Sequence, residues 1–333
     1  MKRAAILCFS ARGRALAERI SRALEGDWTS ELYAPRGGLM DAVAELFPRV
    51  QALIFVGACG IAVRAVAPLV ASKKTDPAVV VVDERGNFAI SLLSGHIGGA
   101  NALTSRIAAA IGAQSVVTTA TDVNGRFSVD TWAARKGVWI ADMLAARRFS
   151  AEILERDLPI QSDFPIEGAL PPGVYLGDSG ACGARIACTW AEPFACTLML
   201  APRILHVGIG CRRGASEAEI SAAVEAALDG ARICREAVAS ASSIDVKSDE
   251  PGLSAFCASA GIALRFYSAA ELNEVPGEFT ASEFVKKTVG VDNVCERSAL
   301  RSAGAGGRLI LKKRSGGGVT VAVACEDWSV SFE

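Results

Sequence analysis

The chain holds two imidazoles, His96 and His206, so the side chain best suited to passing a proton near neutral pH has few possible positions. His96 stands in the run Ser94-Gly95-His96-Ile97-Gly98-Gly99-Ala100-Asn101. Its three glycines let a backbone turn tightly and come close to a ligand. Amides exposed at the start of a following helix suit an oxygen-rich anion. Gly95, Gly98, Gly99 and Asn101 are therefore candidate ligand contacts, and His96 is the first candidate for proton transfer. The plainer alternative is a tight turn in which His96 satisfies a carbonyl.

Other groups sit at comparable places. Thr119, Thr121 and Asp122 follow a β-branched run and should face the same sheet edge as His96, either to bind polar ligand groups or to cap and turn the chain. Gly57, Gly60 and Arg64 form a second loop and helix entry, where Arg64 either meets a carboxylate or lies on the surface. Gly208-Ile209-Gly210-Cys211-Arg212-Arg213-Gly214 is a plausible anion cradle, with Gly210 and Arg212 as contacts. It lacks the Lys-Ser/Thr ending of a phosphate loop and the full dinucleotide spacing. Cys211 as a nucleophile needs a base, and His206 lies inside the preceding apolar run, so a core His206 and an inert Cys211 are the plainer reading. Asp245, Lys247 and Glu250 cluster before Pro251; Lys247 suits an acidic substrate and Glu250 is a candidate base or helix cap. Lys312-Lys313-Arg314-Ser315-Gly316-Gly317-Gly318 is a basic turn between two strands, with Lys313, Ser315, Gly316 and Gly317 as candidate contacts for a polycarboxylate. The gaps between Cys182, Cys188 and Cys196 do not match paired metal ligands, so no protein metal site is expected.

Hydrophobic periodicity places these groups on an α/β scaffold. Runs at 2–9, 52–58, 78–83, 88–93 and 115–119 read as strands, and 13–24, 39–46, 61–69 and 102–111 as helices, with polar stretches at 35–38 and 72–76. That order predicts a parallel or mixed sheet covered by helices, with ligands beyond the carboxyl ends of strands. From 130 to 202 the pattern weakens: helices are expected at 132–139 and 141–154, after which Pro159, Pro165, Gly168, Pro171, Pro172 and Gly173 break anything longer. It then sharpens again. Strands are expected at 204–209, 243–246, 263–267, 308–312 and 319–324, and a turn at 210–214. Helices are expected at 216–228, where Ser216 and Glu219 have capping-box spacing, at 251–260, from 269 and at 281–289. The expected architecture is multidomain α/β: an N-terminal α/β ligand domain at 1–129, a less regular central region at 130–202 and a separate C-terminal α/β domain at 203–333.

Composition narrows the function. With 35 Lys and Arg against 36 Asp and Glu, the formal net charge is -1, which argues against a dedicated nucleic-acid partner. The hydrophobic fraction of 51% is spread over runs far shorter than the roughly 20 residues of a membrane span. The apolar residues after Met1 are followed at once by Ser10, Arg12 and Arg14, unlike a signal peptide. With ten scattered cysteines and no export signal, a cytoplasmic protein with free thiols and no membrane partner is expected.

Seven pieces in order carry a family resemblance: the runs 56–64, 75–83, 94–101 and 118–122, then 208–214, 244–252 and 313–321. Together they resemble the cobalt-precorrin-5A hydrolases of anaerobic cobalamin biosynthesis over nearly the whole chain. The resemblance implies an enzyme that opens the ring A δ-lactone of cobalt-precorrin-5A and expels the two-carbon unit at C20 as acetaldehyde, giving cobalt-precorrin-5B. It implies a corrinoid substrate that brings many carboxylates and its own cobalt, with no further cofactor. Under it, His96 and then Glu250 are the candidates for proton transfer, and Arg64, Arg212, Lys247 and Lys313 the candidate carboxylate clamps. A homodimer or contacts with other pathway enzymes are compatible with it. A methyltransferase of the same pathway and a noncatalytic carrier of corrinoid intermediates stand as alternatives.

Overall fold

In the computed structural model, which describes residues 1–35, 38–72 and 75–333, the chain divides into two compact units, Met1–Ala134 and Arg135–Glu333. Arg36, Gly37, Lys73 and Lys74, within the polar stretches expected at 35–38 and 72–76, lie outside the described residues.

The first unit runs β1 (Lys2–Cys8), α1 (Ala11–Leu24), β2 (Trp28–Tyr33), α2 (Leu39–Leu46), β3 (Ala52–Val56), α3 (Cys59–Val66), β4 (Ala78–Val82), β5 (Phe88–Leu93), α4 (Ala100–Ile111), β6 (Gln114–Val116), α5 (Ala120–Val123) and α6 (Val129–Lys136), the last reaching past the division. Its sheet has the order β2-β1-β3-β4-β5-β6. Every residue of β3 and β4 is buried because both faces of these strands are covered, which is why they read as unbroken apolar runs. Successive residues serve opposite cores. Ile6, Ile54 and Val80 pack with Leu16, Ile20, Leu103 and Ile107 of α1 and α4, whereas Leu7, Phe55 and Val81 pack with Val43, Leu46, Ala62 and Ala65 of α2 and α3.

Strand direction decides where the loops go. β1, β2, β3 and β4 are mutually parallel, but β5 pairs antiparallel to β4, with Val79 opposite Leu93 and Val82 opposite Ala89. The loop after β5 therefore leaves the sheet at the edge where β3 and β4 begin. The turn carrying Gly57 and Gly60 leaves at the other edge, about 15 Å away along strands of this length. Two loops that look equivalent in sequence thus belong to opposite ends of one sheet. β6 is parallel to β5, so Thr119, Thr121 and Asp122 share the edge of His96 as their sequence position implies.

The second unit holds two five-stranded sheets. Its elements are β7 (Val138–Ile140), α7 (Met143–Glu155), β8 (Leu158–Ser162), β9 (Ile166–Glu167), β10 (Val174–Leu176), β11 (Cys182–Ile186), β12 (Cys196–Pro202), β13 (Leu205–Cys211), α8 (Glu217–Gly230), β14 (Val238–Ile244), α9 (Pro251–Ala260), β15 (Ala263–Tyr267), α10 (Ala269–Asn273), α11 (Glu283–Val289), α12 (Val294–Ala303), β16 (Arg308–Gly316), β17 (Val319–Cys325) and β18 (Val330–Ser331). The sheet orders are β10-β8-β11-β12-β7 and β15-β14-β13-β17-β16. The region expected to be less regular thus holds a five-stranded sheet. α6 stops at Gly137, φ +66, and Trp139, expected to end a helix, lies in β7, antiparallel to β12. Its strands are two to seven residues long and punctuated by Pro and Gly, too short for a period to show.

In the last sheet, α12 presses on β13 at Gly208, where a Cβ would lie 1.8 Å from the Cys295 carbonyl oxygen. α8 opens on the expected capping box, Ser216 and Glu219 each satisfying the other's backbone amide.

Candidate functional site

The first unit gathers its polar side chains around His96. The ring lies between two carboxylates, with Nε2 2.8 Å from Asp122 Oδ2 and Nδ1 3.0 Å from Asp130 Oδ1. The hydroxyls of Thr121 and Ser128 lie 3.4 and 3.3 Å from Nε2 and Nδ1. Asn101, on the first turn of α4, joins this cluster to the sheet. Its amide donates to Thr119 Oγ1 at 2.8 Å and to Asp122 Oδ2 at 3.1 Å, and its carbonyl oxygen accepts from Ser91 of β5 at 2.7 Å. Burial pushes the imidazole down, but the hydrogen bonds and charges of Asp130 and then Asp122 outweigh it and hold His96 above its ordinary value. The cluster is an imidazole held between two carboxylates. The Asp122 side chain is 39% exposed, against 12% for Asp130.

The loop itself departs from the expected amide cradle. The amides of Gly99, Ala100 and Asn101 donate to the carbonyls of His96, Ser94 and Gly95, so they cap α4 from within the loop and are not free for an anion. Gly98 is required because its Cβ would lie 2.4 Å from that of Ser94. Ser94 adopts φ +57, a left-handed conformation that costs a residue with a side chain about 1 kcal/mol or more. The glycines thus compress the loop so that His96 and Asn101 converge. Gly57, Gly60 and the exposed Arg64 stand at the other sheet edge and do not join this cluster. Ser91, Ser128 and Asp130 escape a reading of the sequence because nothing local distinguishes a serine or aspartate that meets His96 only after folding.

The second unit gathers a different set. Gly210, Cys211, Arg212, Arg213, Lys247, Lys313, Ser315 and Gly316 line one cleft of about 530 Å³, whose remaining wall is the apolar side of α11 with Phe284, Val285 and Val289. Phe284 is 78% exposed, an unusual position for a phenylalanine. Thr320, Asn293 and Cys295 are also among the lining residues. The helix at 281–289 is expected from sequence, but its role as a wall is not, because Val285 and Val289 pack on Ile244 of β14, Leu272 of α10 and Val294 of α12, which only the fold brings together.

Several groups have structural engagements here. Glu250 is buried; it accepts the Gly214 amide at 2.6 Å and the Lys247 ammonium at 3.1 Å. Burial pushes its carboxyl up, yet the Gly214 amide and Lys247 prevail and hold it below its ordinary value. A doubly engaged carboxylate is a strut for Lys247; of the two roles offered by sequence, base or helix cap, Glu250 stands at the N-cap position of α9, without a side-chain capping hydrogen bond. Arg212 pairs with Glu219 and Arg213 with Asp249, both near the surface. Asp245 is exposed at the start of a helical turn and does not line the cleft. Gly317 and Gly318, φ +59 and +79, are the two loop residues of the β16 to β17 hairpin, which is why they are glycine. Cys211 keeps its proton, since burial pushes the thiol up. His206 is a core residue held by Ser240 at 2.7 Å and Glu326 at 2.8 Å.

Comparison with known proteins bears directly on these two sites. The family described as Cobalamin synthesis G N-terminal matches residues 41–122, and Cobalamin synthesis G C-terminus matches 205–324. The chain is 34% identical over 316 residues to the cobalt-precorrin-5A hydrolase of Salmonella typhimurium, covering 87% of this chain and 89% of that protein. It is 32% identical over 313 residues to the cobalt-precorrin-5A hydrolase of Priestia megaterium, covering 86% and 82%. The chain belongs to the cobalt-precorrin-5A hydrolase family. Protein CobE of a Sinorhizobium species is 31% identical over 121 residues, covering 36% of this chain and 79% of that protein. Within this hydrolase family member, the N-terminal match contains His96, Asn101 and Asp122 and ends before Ser128 and Asp130, while the C-terminal match contains all the cleft residues, including the cations Arg212, Arg213, Lys247 and Lys313.

Proposed function

We infer that this chain hydrolyses cobalt-precorrin-5A, opening the ring A lactone with water and releasing the C20 unit as acetaldehyde. The observation that carries the chemical part is the clamped Asp122, His96 and Asp130 cluster, a proton-handling group whose His96 and Asp122 lie on the matched N-terminal segment. Lactone hydrolysis needs a proton taken from water and a proton returned to the leaving oxygen. The freed C20 hydroxyl then gives up its proton as it forms the carbonyl of acetaldehyde and its bond to the ring breaks, and the electron pair passes into the macrocycle. The cleft of the second unit supports the same substrate class, since an apolar wall faced by Lys247 and Lys313 suits a flat ring rimmed with carboxylates. Cobalt enters with the substrate, and the reaction calls for no cofactor of the protein's own. Among the described residues, no helix is long and apolar enough to cross a membrane.

Anaerobic incubation with cobalt-precorrin-5A, followed by mass analysis of the corrinoid and trapping of acetaldehyde, tests this reading. Loss of the two-carbon unit with equivalent acetaldehyde is expected. An unchanged corrinoid would overturn it, and tight binding without acetaldehyde would establish a carrier.

A further inference from the structure

We propose that Asp122 is the group that takes the proton from the attacking water, with His96 and Asn101 as positioning residues that fix its other oxygen. The inference rests on the lactone hydrolysis inferred above and assigns its base. Both ring nitrogens of His96 face carboxylate oxygens, Nε2 at 2.8 Å and Nδ1 at 3.0 Å, so neither is open to a water. Asp122 differs. His96 Nε2 and Asn101 Nδ2 both meet it at Oδ2, Oδ1 takes part in neither contact, and the side chain is the most exposed of the three charged groups.

The elements around the ring explain its state. Asp122 comes from α5 and Asp130 from α6, with Thr121 and Ser128 beside them as hydroxyls, so two carboxylates meet the two ring nitrogens of His96. The two carboxylates hold the ring above its ordinary value against the opposing effect of burial, and the contact of Nε2 fixes Asp122 Oδ2. In the step itself, the water oxygen bonds to the lactone carbonyl carbon as one water proton passes to Asp122 Oδ1. The tetrahedral intermediate collapses, the ring C–O bond breaks with its electrons on the departing oxygen, and Asp122 returns the same proton there. Water is consumed, no redox partner is needed, and His96 is unchanged.

The test compares purified variants on cobalt-precorrin-5A, with acetaldehyde release followed from pH 5 to 9 and folding checked by circular dichroism. Asp122→Asn should lower kcat about 100-fold or more, within the range for loss of a general base. Asp122→Gly should regain activity with added formate, whereas His96→Gly should not regain it with imidazole. Asp130→Asn should remain active at pH 6 but lose activity on the alkaline side at a lower pH than wild type, because removing an anion at 3.0 Å from His96 lowers the pH at which the ring is discharged. Near-normal turnover by folded Asp122→Asn, or rescue of His96→Gly by imidazole, would overturn the assignment. Failure of the wild-type protein to release acetaldehyde would instead overturn the function on which it rests.

Discussion

Replacing Glu250 by glutamine separates a strut from a base. The wild-type carboxylate accepts two hydrogen bonds, from the Gly214 amide and the Lys247 ammonium, and Lys247 is itself only 12% exposed. A hydrogen bond to a charged group contributes about 1.5–3 kcal/mol. Glutamine keeps the shape and can still accept from Gly214, so the loss should be nearer one such bond, about 2 kcal/mol, and the transition should fall by about 4–8 °C for a unit of this size. The pH dependence has a definite sign. The folded carboxyl titrates below its unfolded value, so its contribution is full above the unfolded pKa and is lost as pH falls through the lower folded pKa. The gap in Tm between wild type and Glu250→Gln should therefore be complete at pH 7 and close progressively below about pH 4. Thermal unfolding by circular dichroism at a series of pH values measures this, alongside kcat and KM for acetaldehyde release. KM should rise a few-fold as Lys247 loses its support, with kcat within about threefold of wild type. An unchanged Tm combined with a kcat reduced 100-fold would refute the strut and return Glu250 to the chemistry.

Three further outcomes follow from the same coordinates. Gly208→Ala should destabilise the second unit by about 3 kcal/mol or more, measured by urea unfolding, because a Cβ 1.8 Å from the Cys295 carbonyl oxygen must push α12 off β13. Gly98→Ala should cost about 1–3 kcal/mol and lower kcat, since the new Cβ meets Ser94 Cβ at 2.4 Å and spreads the loop that brings His96 to Asp122; unchanged stability and rate would show that the loop has room. Phe284→Asp should raise KM about tenfold with little change in kcat or Tm, because an exposed side chain on the cleft wall contributes to binding and not to the fold; an unaltered KM would remove α11 from the binding surface.

Local chemistry explains what was legible in sequence. The capping box of Ser216 and Glu219 and the helix opened by Pro251 depend on neighbours three or four residues away, and both stand where the sequence places them. The buried runs at β3 and β4 declare themselves because both faces are covered. The half-exposed edge strand β2 and the short strands of 158–202 do not, since their pairing partners define them. The site divides in the same way. His96, Asn101 and Asp122 are marked by a glycine run and a strand end, features of adjacent residues. Tertiary structure alone decided that β5 runs against β4, which sends the Gly57 turn and the His96 loop to opposite edges, and that Asp130 arrives at the second nitrogen of His96. Strand direction and the meeting of residues 34 positions apart are set by the packing of the whole unit, and no local pattern of residues encodes them.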